Sequence, residues 1–304
     1  MSSIREIRRH IRSVRNISKV TRAMQMVAAS KMRRAQDQVL ATRPYAQKAW
    51  ELLTHLAALS VRTEQEEHPL LAVRPVSAVG LVVITSDKGL CGGYNHNLLR
   101  VVTEYLQAQE KPVKVITVGR KGRDFMLRIR ANLVAEFTGV PALPTLLDVL
   151  PIARTVLDDY LAGVYDEVLL AYTDFVNTLV QRPVIRRLLP LRVAGDLTEQ
   201  AVSEYVVGGP RVRIPEYIYE PDPQAVLAQI VPRFTELQIY QAILESIASE
   251  HSARMVAMRN ATENANELVE QLTLSFNRAR QTAITKEILD IVGGAEALAK
   301  SAQR

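Results

Sequence analysis

The chain has 304 residues, 48% hydrophobic, 23% charged and 5% aromatic, at a mean hydropathy of zero, the composition of an ordinary folded protein. Its longest apolar runs, such as Leu81 to Ile84, fall far short of the roughly 20 residues that span a bilayer, so no segment is expected to cross a membrane. The formal charge of +6 is held unevenly: residues 1–48 carry 12 bases against 2 acids, net +10, whereas 49–232 and 233–304 are mildly acidic at −3 and −1.

Residues 1–43 contain neither glycine nor proline, and both are costly inside helices. Ile4, Ile7, Ile11, Val14, Ile17, Thr21, Met24 and Ala28 recur in steps of three and four, the seam of a coiled coil. Arginines 5, 8, 9, 12, 15 and 22, with Lys19, fill the other faces. This helix, about 60 Å long at 1.5 Å per residue, is expected to end or kink at Pro44, and a second helical pattern runs from Ala46 to Val61.

Between about Ser77 and Pro223 strand-like and helix-like stretches alternate. Ala78–Thr85 reads as a buried strand, Tyr94–Gln109 as a helix, Val113–Val118 as a strand and Lys121–Arg130 as a helix. Leu146–Ala162 reads as a helix, Glu167–Tyr172 as a strand and Pro183–Leu191 as an extended segment. This order implies a mostly parallel sheet covered by helices. From residue 233 to 292 both helix breakers are again missing. There Met258, Ala265, Leu272 and Ala279 recur every seven residues, with Ala261, Leu268 and Ser275 as companions. A helix of that length, about 87 Å, is not stable on propensity alone and needs a packing partner. The economical solution is an antiparallel pair of the terminal helices, with the middle folded as an α/β, Rossmann-like body. The expected boundaries are 1–65, 77–223 and 233–304.

The single cysteine, Cys91, excludes an internal disulfide and a cysteine metal cluster, and makes a reducing compartment the default. Histidines 10, 55, 68, 96 and 251 are not spaced as a metal pair on one helix face, so no metal is expected. Ser86-Asp87-Lys88-Gly89-Leu90-Cys91-Gly92-Gly93-Tyr94-Asn95 follows the first strand and precedes a helix, where open α/β folds place phosphate sites. It matches neither the Walker nor the dinucleotide spacing, and a tight strand-to-helix turn is favoured over a nucleotide loop. Cys91 and His96 could form a nucleophile and base, but no third group orients them, and a structural thiol is favoured. Trp50 and methionines 24, 26, 32, 255 and 258 read as core packing. For the basic N-terminal helix three readings stay open on composition: a solvated or protein-facing surface, a phosphate-binding surface for nucleic acid, and a transit segment.

Specific residues carry a resemblance. IREIRRHIRSVRNISKVTRAMQMVAASKMRRAQDQVLATRPY, from Ile4 to Tyr45, resembles the opening helix of the γ subunits of F-type ATP synthases. TSDKGLCGGYN, from Thr85 to Asn95, resembles their first strand and turn. Glu236–Ala265 and Phe276–Leu298 resemble their closing helix. The resemblance, to the bacterial type, implies a central rotor shaft formed by an antiparallel coiled coil, inside a ring of three α and three β subunits, above ε and the membrane c-ring. It implies coupling of proton flow to conformational change at catalytic sites on β, regulation of ATPase activity, and no catalytic site or cofactor in this chain. It places the chain peripherally on the cytoplasmic side of the inner cell membrane, with no nucleic-acid partner. Carried over residue by residue, it assigns partner contact or coupling to Met24, Arg254, Arg280, Gln281 and Thr285. The regulatory cysteine pair of the chloroplast type has no counterpart beside Cys91.

Overall fold

A computed structural model of the chain describes residues 4–62, 68–191, 219–220 and 222–302; residues 192–218 of the expected 77–223 body, and 63–65 of the first segment, lie outside them. The described chain comprises α1 (Ile4–Arg62), β1 (Val79–Ile84), α2 (Tyr94–Ala108), β2 (Val113–Val118), α3 (Arg120–Arg128), β3 (Leu133–Phe137), α4 (Leu146–Leu161), β4 (Glu167–Phe175), β5 (Gln181–Leu189) and α5 (Pro223–Ala302). It divides into two compact units, Met1–Val27 with Met255–Arg304, and Ala28–Arg254. These divisions fall inside both terminal helices.

In the larger unit the described strands form one sheet in the order β3-β2-β1-β4-β5. β1 pairs in parallel with β2 and β4, β2 pairs in parallel with β3, and β5 closes the edge antiparallel to β4. This is the mixed α/β architecture expected from the alternating pattern. The buried run of β1 explains its central place: each of its six residues is enclosed, as a strand covered on both faces must be. α2 and α3 cover one face through Leu98, Val102 and Met126. The other face packs on α4, on 46–56 of α1 and on 227–244 of α5, with Trp50, Leu53, Tyr160, Val231 and Phe234 in one apolar cluster. The rings of Trp50 and Phe234 lie 5.7 Å apart, and Gln241 Nε2 donates to Thr42 Oγ1 at 3.3 Å. α1 and α5 thus run antiparallel within this unit.

Pro44 lies inside α1 without ending it, and Pro232 lies inside α5. Each removes one backbone donor, a loss of about 3 kcal/mol in an isolated helix. Burial of Ala46, Ala49, Trp50 and Leu53 just past Pro44, and of Val231 and Phe234 around Pro232, offsets it. β3, which no sequence pattern announced, is a five-residue edge strand whose residues alternate between half-buried and exposed.

In the smaller unit α1 and α5 also run antiparallel. Arg8 stacks its guanidinium over the Phe276 ring at 5.3 Å, Ser18 Oγ donates to Asn266 Oδ1 at 2.7 Å, and the Thr21 and Thr262 hydroxyls meet at 2.6 Å. The seam differs in phase from the sequence expectation. Ile11, Val14 and Thr21 are buried, but Ile17 is 52% exposed and Ser18 takes the inner place. On α5 the companions of Met258 and Ala265 are Thr262, Val269 and Phe276, while Leu268 and Ser275 are exposed. On α1 strict alternation of three and four after Val14 leads to Ser18 and not to Ile17, while on α5 the two phases are equally periodic and only one of them brings the Thr262 hydroxyl to Thr21.

Two outcomes follow from this packing. Thr262→Val removes the cross-seam partner of the Thr21 hydroxyl, which keeps its bond to the Ser18 carbonyl, and is expected to lower unfolding stability by about 0.5–1.5 kcal/mol, the net worth of one hydrogen bond; urea midpoints of Thr21→Val, Thr262→Val and the double variant measure the coupling. Gly119 has φ +100° and a Cβ there would lie 2.3 Å from the Thr85 carbonyl oxygen. Gly119→Ala is therefore expected to cost more than Gly139→Ala, whose φ of +77° is strained but whose Cβ meets nothing within 4 Å; thermal unfolding of both variants checks the order.

Candidate functional site: the carboxyl edge of the sheet and the exposed face of the terminal helices

The loop after β1 reaches the edge where α/β folds bind ligands, and its own side chains fill that position. Asp87 Oδ1 accepts the Arg120 N–H at the start of α3 at 2.9 Å, and Oδ2 accepts the Gly139 N–H beyond β3 at 2.9 Å. A carboxylate of the chain thus takes backbone donors that a phosphate would use, and ties together the loops after β1, β2 and β3. Asn95 accepts the Ser86 N–H and returns an N–H to Ser86 Oγ at 2.8 Å and to Cys91 Sγ at 3.2 Å. The tight strand-to-helix turn is the arrangement found.

Cys91 is buried, and burial pushes its thiol pKa up, the opposite of what a nucleophile needs. His96 is exposed, lining a groove of about 500 Å³ between α2 and α3 with Arg100, Lys121, Asp124 and Phe125. Among the described residues no hydrogen bond joins His96 to Cys91, and no group of three or more His, Cys, Asp or Glu side chains could hold a metal ion.

Arg254 is the candidate residue most firmly built into this edge, with its side chain 11% exposed. Nη1 pairs with Glu250 Oε1 at 2.7 Å and lies 3.1 Å from His251 Nδ1. Nη2 donates to the carbonyls of Lys88 and Gly89 at 3.3 and 3.2 Å. Three serines of α5 accompany it, and the sequence reading missed them. Ser246 Oγ meets the Tyr94 hydroxyl at 2.6 Å and reaches the Ile84 carbonyl, Ser249 Oγ donates to the Thr173 carbonyl at 3.0 Å, and Ser252 Oγ donates to the Thr178 carbonyl at 2.8 Å. Their spacing of three along α5 turns one helix face toward the ends of β1 and β4. A search for serines at helical spacing, in place of apolar residues alone, would have found them.

The remaining candidates lie in the smaller unit. Met24 is half-buried between the seam residues Thr21 and Ala28. Arg280, Gln281 and Thr285 are exposed on α5, Gln281 and Thr285 one turn apart on a shared face. The register of Thr21 with Thr262 and Arg8 with Phe276 keeps Met24 apart from the Arg280–Thr285 group along the pair, and Arg254 belongs to the larger unit. Beyond them Ile284, Ile288, Leu289, Ile291 and Val292 expose their apolar side chains, as Ile17, Val20, Met26 and Val27 do on α1. No described helix is long and apolar enough to cross a membrane.

Burial, with the charges of Arg254 and Lys31, pushes the His251 imidazole down to about 4. Nδ1 facing a guanidinium N–H fits a neutral ring protonated on Nε2. Because the unfolded chain binds this proton near 6.5, the folded state gains full benefit above that pH and loses it as pH falls from about 6.5 toward about 4. Unfolding free energies measured across this range for wild type and His251→Gln are expected to converge as pH falls, the variant showing the shallower slope.

The family model described as ATP synthase matches residues 3–298. An ATP synthase gamma chain of Dehalococcoides mccartyi (strain CBDB1) is 50% identical over 299 residues, spanning 98% of this chain and 100% of the relative. That of Roseiflexus castenholzii (strain DSM 13941 / HLO8) is 52% identical over 304 residues, spanning 99% and 100%. Among solved structures, the central stalk and c-ring of the Tetrahymena thermophila mitochondrial ATP synthase contains a chain 27% identical, with a TM-score of 0.59 over 80% of this chain and 99% of that one. A chain of the Euglena gracilis mitochondrial ATP synthase shares the fold at 19% identity, with a TM-score of 0.67 over 99% and 96%. On its matched length and its identity to these relatives, the chain belongs to the ATP synthase gamma chain family.

Proposed function

We propose that this chain is the central rotor shaft of a proton-translocating F-type ATP synthase, coupling proton flow to conformational change at catalytic sites carried by β subunits. The observation that carries this reading is the antiparallel pairing of α1 and α5 in a chain about half identical to gamma chains over its length. Its partners are three α and three β subunits around the paired helices, with ε and the c-ring at the α/β body. The chain performs no bond chemistry, regulates the ATPase activity of the ring, takes no cofactor and binds no nucleic acid. It sits peripherally on the cytoplasmic side of the inner cell membrane.

A shaft shifts its neighbours' equilibria only if its faces interact differently with their states. The helix pair offers such asymmetry: arginines on some faces of α1, the stripe of Ile17, Val20 and Val27 on another, and bare apolar residues near the end of α5. Exposed apolar surface on this scale favours enclosure by protein. Asp87, bonded to the start of α3 and to the loop after β3, supports a structural use of the sheet's carboxyl edge over an enzymatic one. Within this reading Met24, Arg280, Gln281 and Thr285 are surface contacts with the ring, and Arg254 acts from inside the α/β body.

Co-expression with α and β subunits is expected to yield an ATP-hydrolysing complex that retains this chain through purification; a ring that assembles without it would refute the proposal. Within that complex, Arg280→Ala and Gln281→Ala are expected to lower proton-driven synthesis about fivefold or more, the scale of a coupling free energy of about 1–3 kcal/mol, while assembly changes little. Equal losses of synthesis and assembly would assign both residues to structure.

A further inference from the structure

Arg254 is the last residue of the larger unit, at the point where α5 has left its apolar packing behind. Ala248 is the last buried apolar residue of α5 in that unit, and from there on the helix meets the sheet through polar groups. Ser249 and Ser252 hold the end of β4 and the turn after it, and Arg254 holds the loop after β1. A twist applied along α5 would peel the helix from the body here first, because the apolar contacts that resist it end one turn earlier.

The loop that Arg254 grips needs an external hold. Leu90, next to the gripped Gly89, has φ +62° and is 65% exposed, a left-handed conformation that costs a non-glycine residue about 1–2 kcal/mol. All four terminal N–H groups of Arg254 are engaged: two with Glu250 and His251, two with the carbonyls. His251 is a neutral acceptor, so Glu250 supplies the opposing charge from its own element. From elsewhere Asp87, Lys31, Tyr94 and Cys91 face the pair. The Glu250 side chain is 16% exposed, and burial outweighs the guanidinium, holding its carboxyl above the ordinary carboxylate range. A carboxylate kept against its solvation preference is a poor stability device and a good geometric one.

We propose that Glu250 is a positioning residue for coupling: it fixes the Arg254 guanidinium against the Lys88 and Gly89 carbonyls, so that α5 and the sheet body turn as one. The inference rests on the shaft reading above. Glu250, Arg254 and the serines at 246, 249 and 252 form a torque-bearing joint, in which hydrogen bonds to strand ends replace apolar packing.

Cys91 is a built-in reporter, buried behind the gripped carbonyls and bonded to Asn95. In the full chain, Glu250→Gln is expected to speed reaction of this thiol with a maleimide about tenfold per thiolate, the scale of one lost charge-assisted hydrogen bond, the thiolate fraction being fixed by each variant's own pH profile because the Glu250 charge also raises the thiol pKa, and Glu250→Asp to restore part of the protection. In the assembled complex, Glu250→Gln is expected to lower protons pumped per ATP hydrolysed while hydrolysis itself persists. Should Glu250→Gln fail to fold, Arg254→Lys serves, since an ammonium keeps the charge but cannot fork to both carbonyls. Unchanged Cys91 labelling overturns the clamp, and faster labelling with undiminished pumping per ATP overturns its part in coupling. Failure of the wild-type chain to assemble or pump instead removes the shaft reading, and leaves the labelling result to judge the clamp alone.

Discussion

Two helices too long to stand on backbone hydrogen bonds alone set the terms for the rest of the molecule. α1 has 59 residues and α5 has 80, and helices in water are stabilised mainly by the face they bury. In each compact unit the face of α1 is buried against α5 in antiparallel sense. The residues used are small or hydroxylated as often as they are large: Ala28, Ala35, Ala46 and Ala265 are buried, and Thr21 meets Thr262. Small residues allow close approach of the helices, and the hydroxyl pair adds a contact across the seam to the bond each hydroxyl makes within its own helix.

The second constraint is the open carboxyl edge of the sheet. A doubly wound sheet offers its ligand crevice there, and this chain spends it on internal bonds. Asp87 takes the N–H groups of Arg120 and Gly139, while Ser249, Ser252 and Arg254 take carbonyls from β4 and the loops. An edge satisfied in this way binds the body to its own helix, which suits a part that transmits force better than one that turns over a substrate.

The regular elements of the body were legible because their signals are local. The apolar run of β1 and the amphipathic repeats of α2 and α4 fall within a residue or two of the expected spans, and β2 matches residue for residue. β3 was not legible, since five half-exposed residues on an edge carry no run. Nor was the seam in full: Ser18 stands where three–four alternation puts it but was passed over for the apolar Ile17, and on α5 Thr262 displaces Ala261 because periodicity does not say which of two adjacent stripes faces inward, while a threonine can be buried there by bonding its own helix. That α1 continues past Pro44 was not legible for the complementary reason, the local cost being met by packing distant in sequence. Of the candidate site, Arg254 and the loop at Thr85–Asn95 were visible as motifs. Their joining, and the parts played by Asp87 and the three serines, depend on contacts across 33 to 166 residues of sequence that no short window contains, whereas Glu250, four residues before Arg254, stands at the local spacing of a helix ion pair.

The most direct test of the shaft reading is to watch the chain move. With the α and β ring fixed to a surface and a bead tethered at the exposed Lys111, beyond α2, ATP should drive the bead in one direction, pausing at positions about 120° apart as a threefold ring dictates. A bead that stays at one angle while the same complexes hydrolyse ATP would contradict the account.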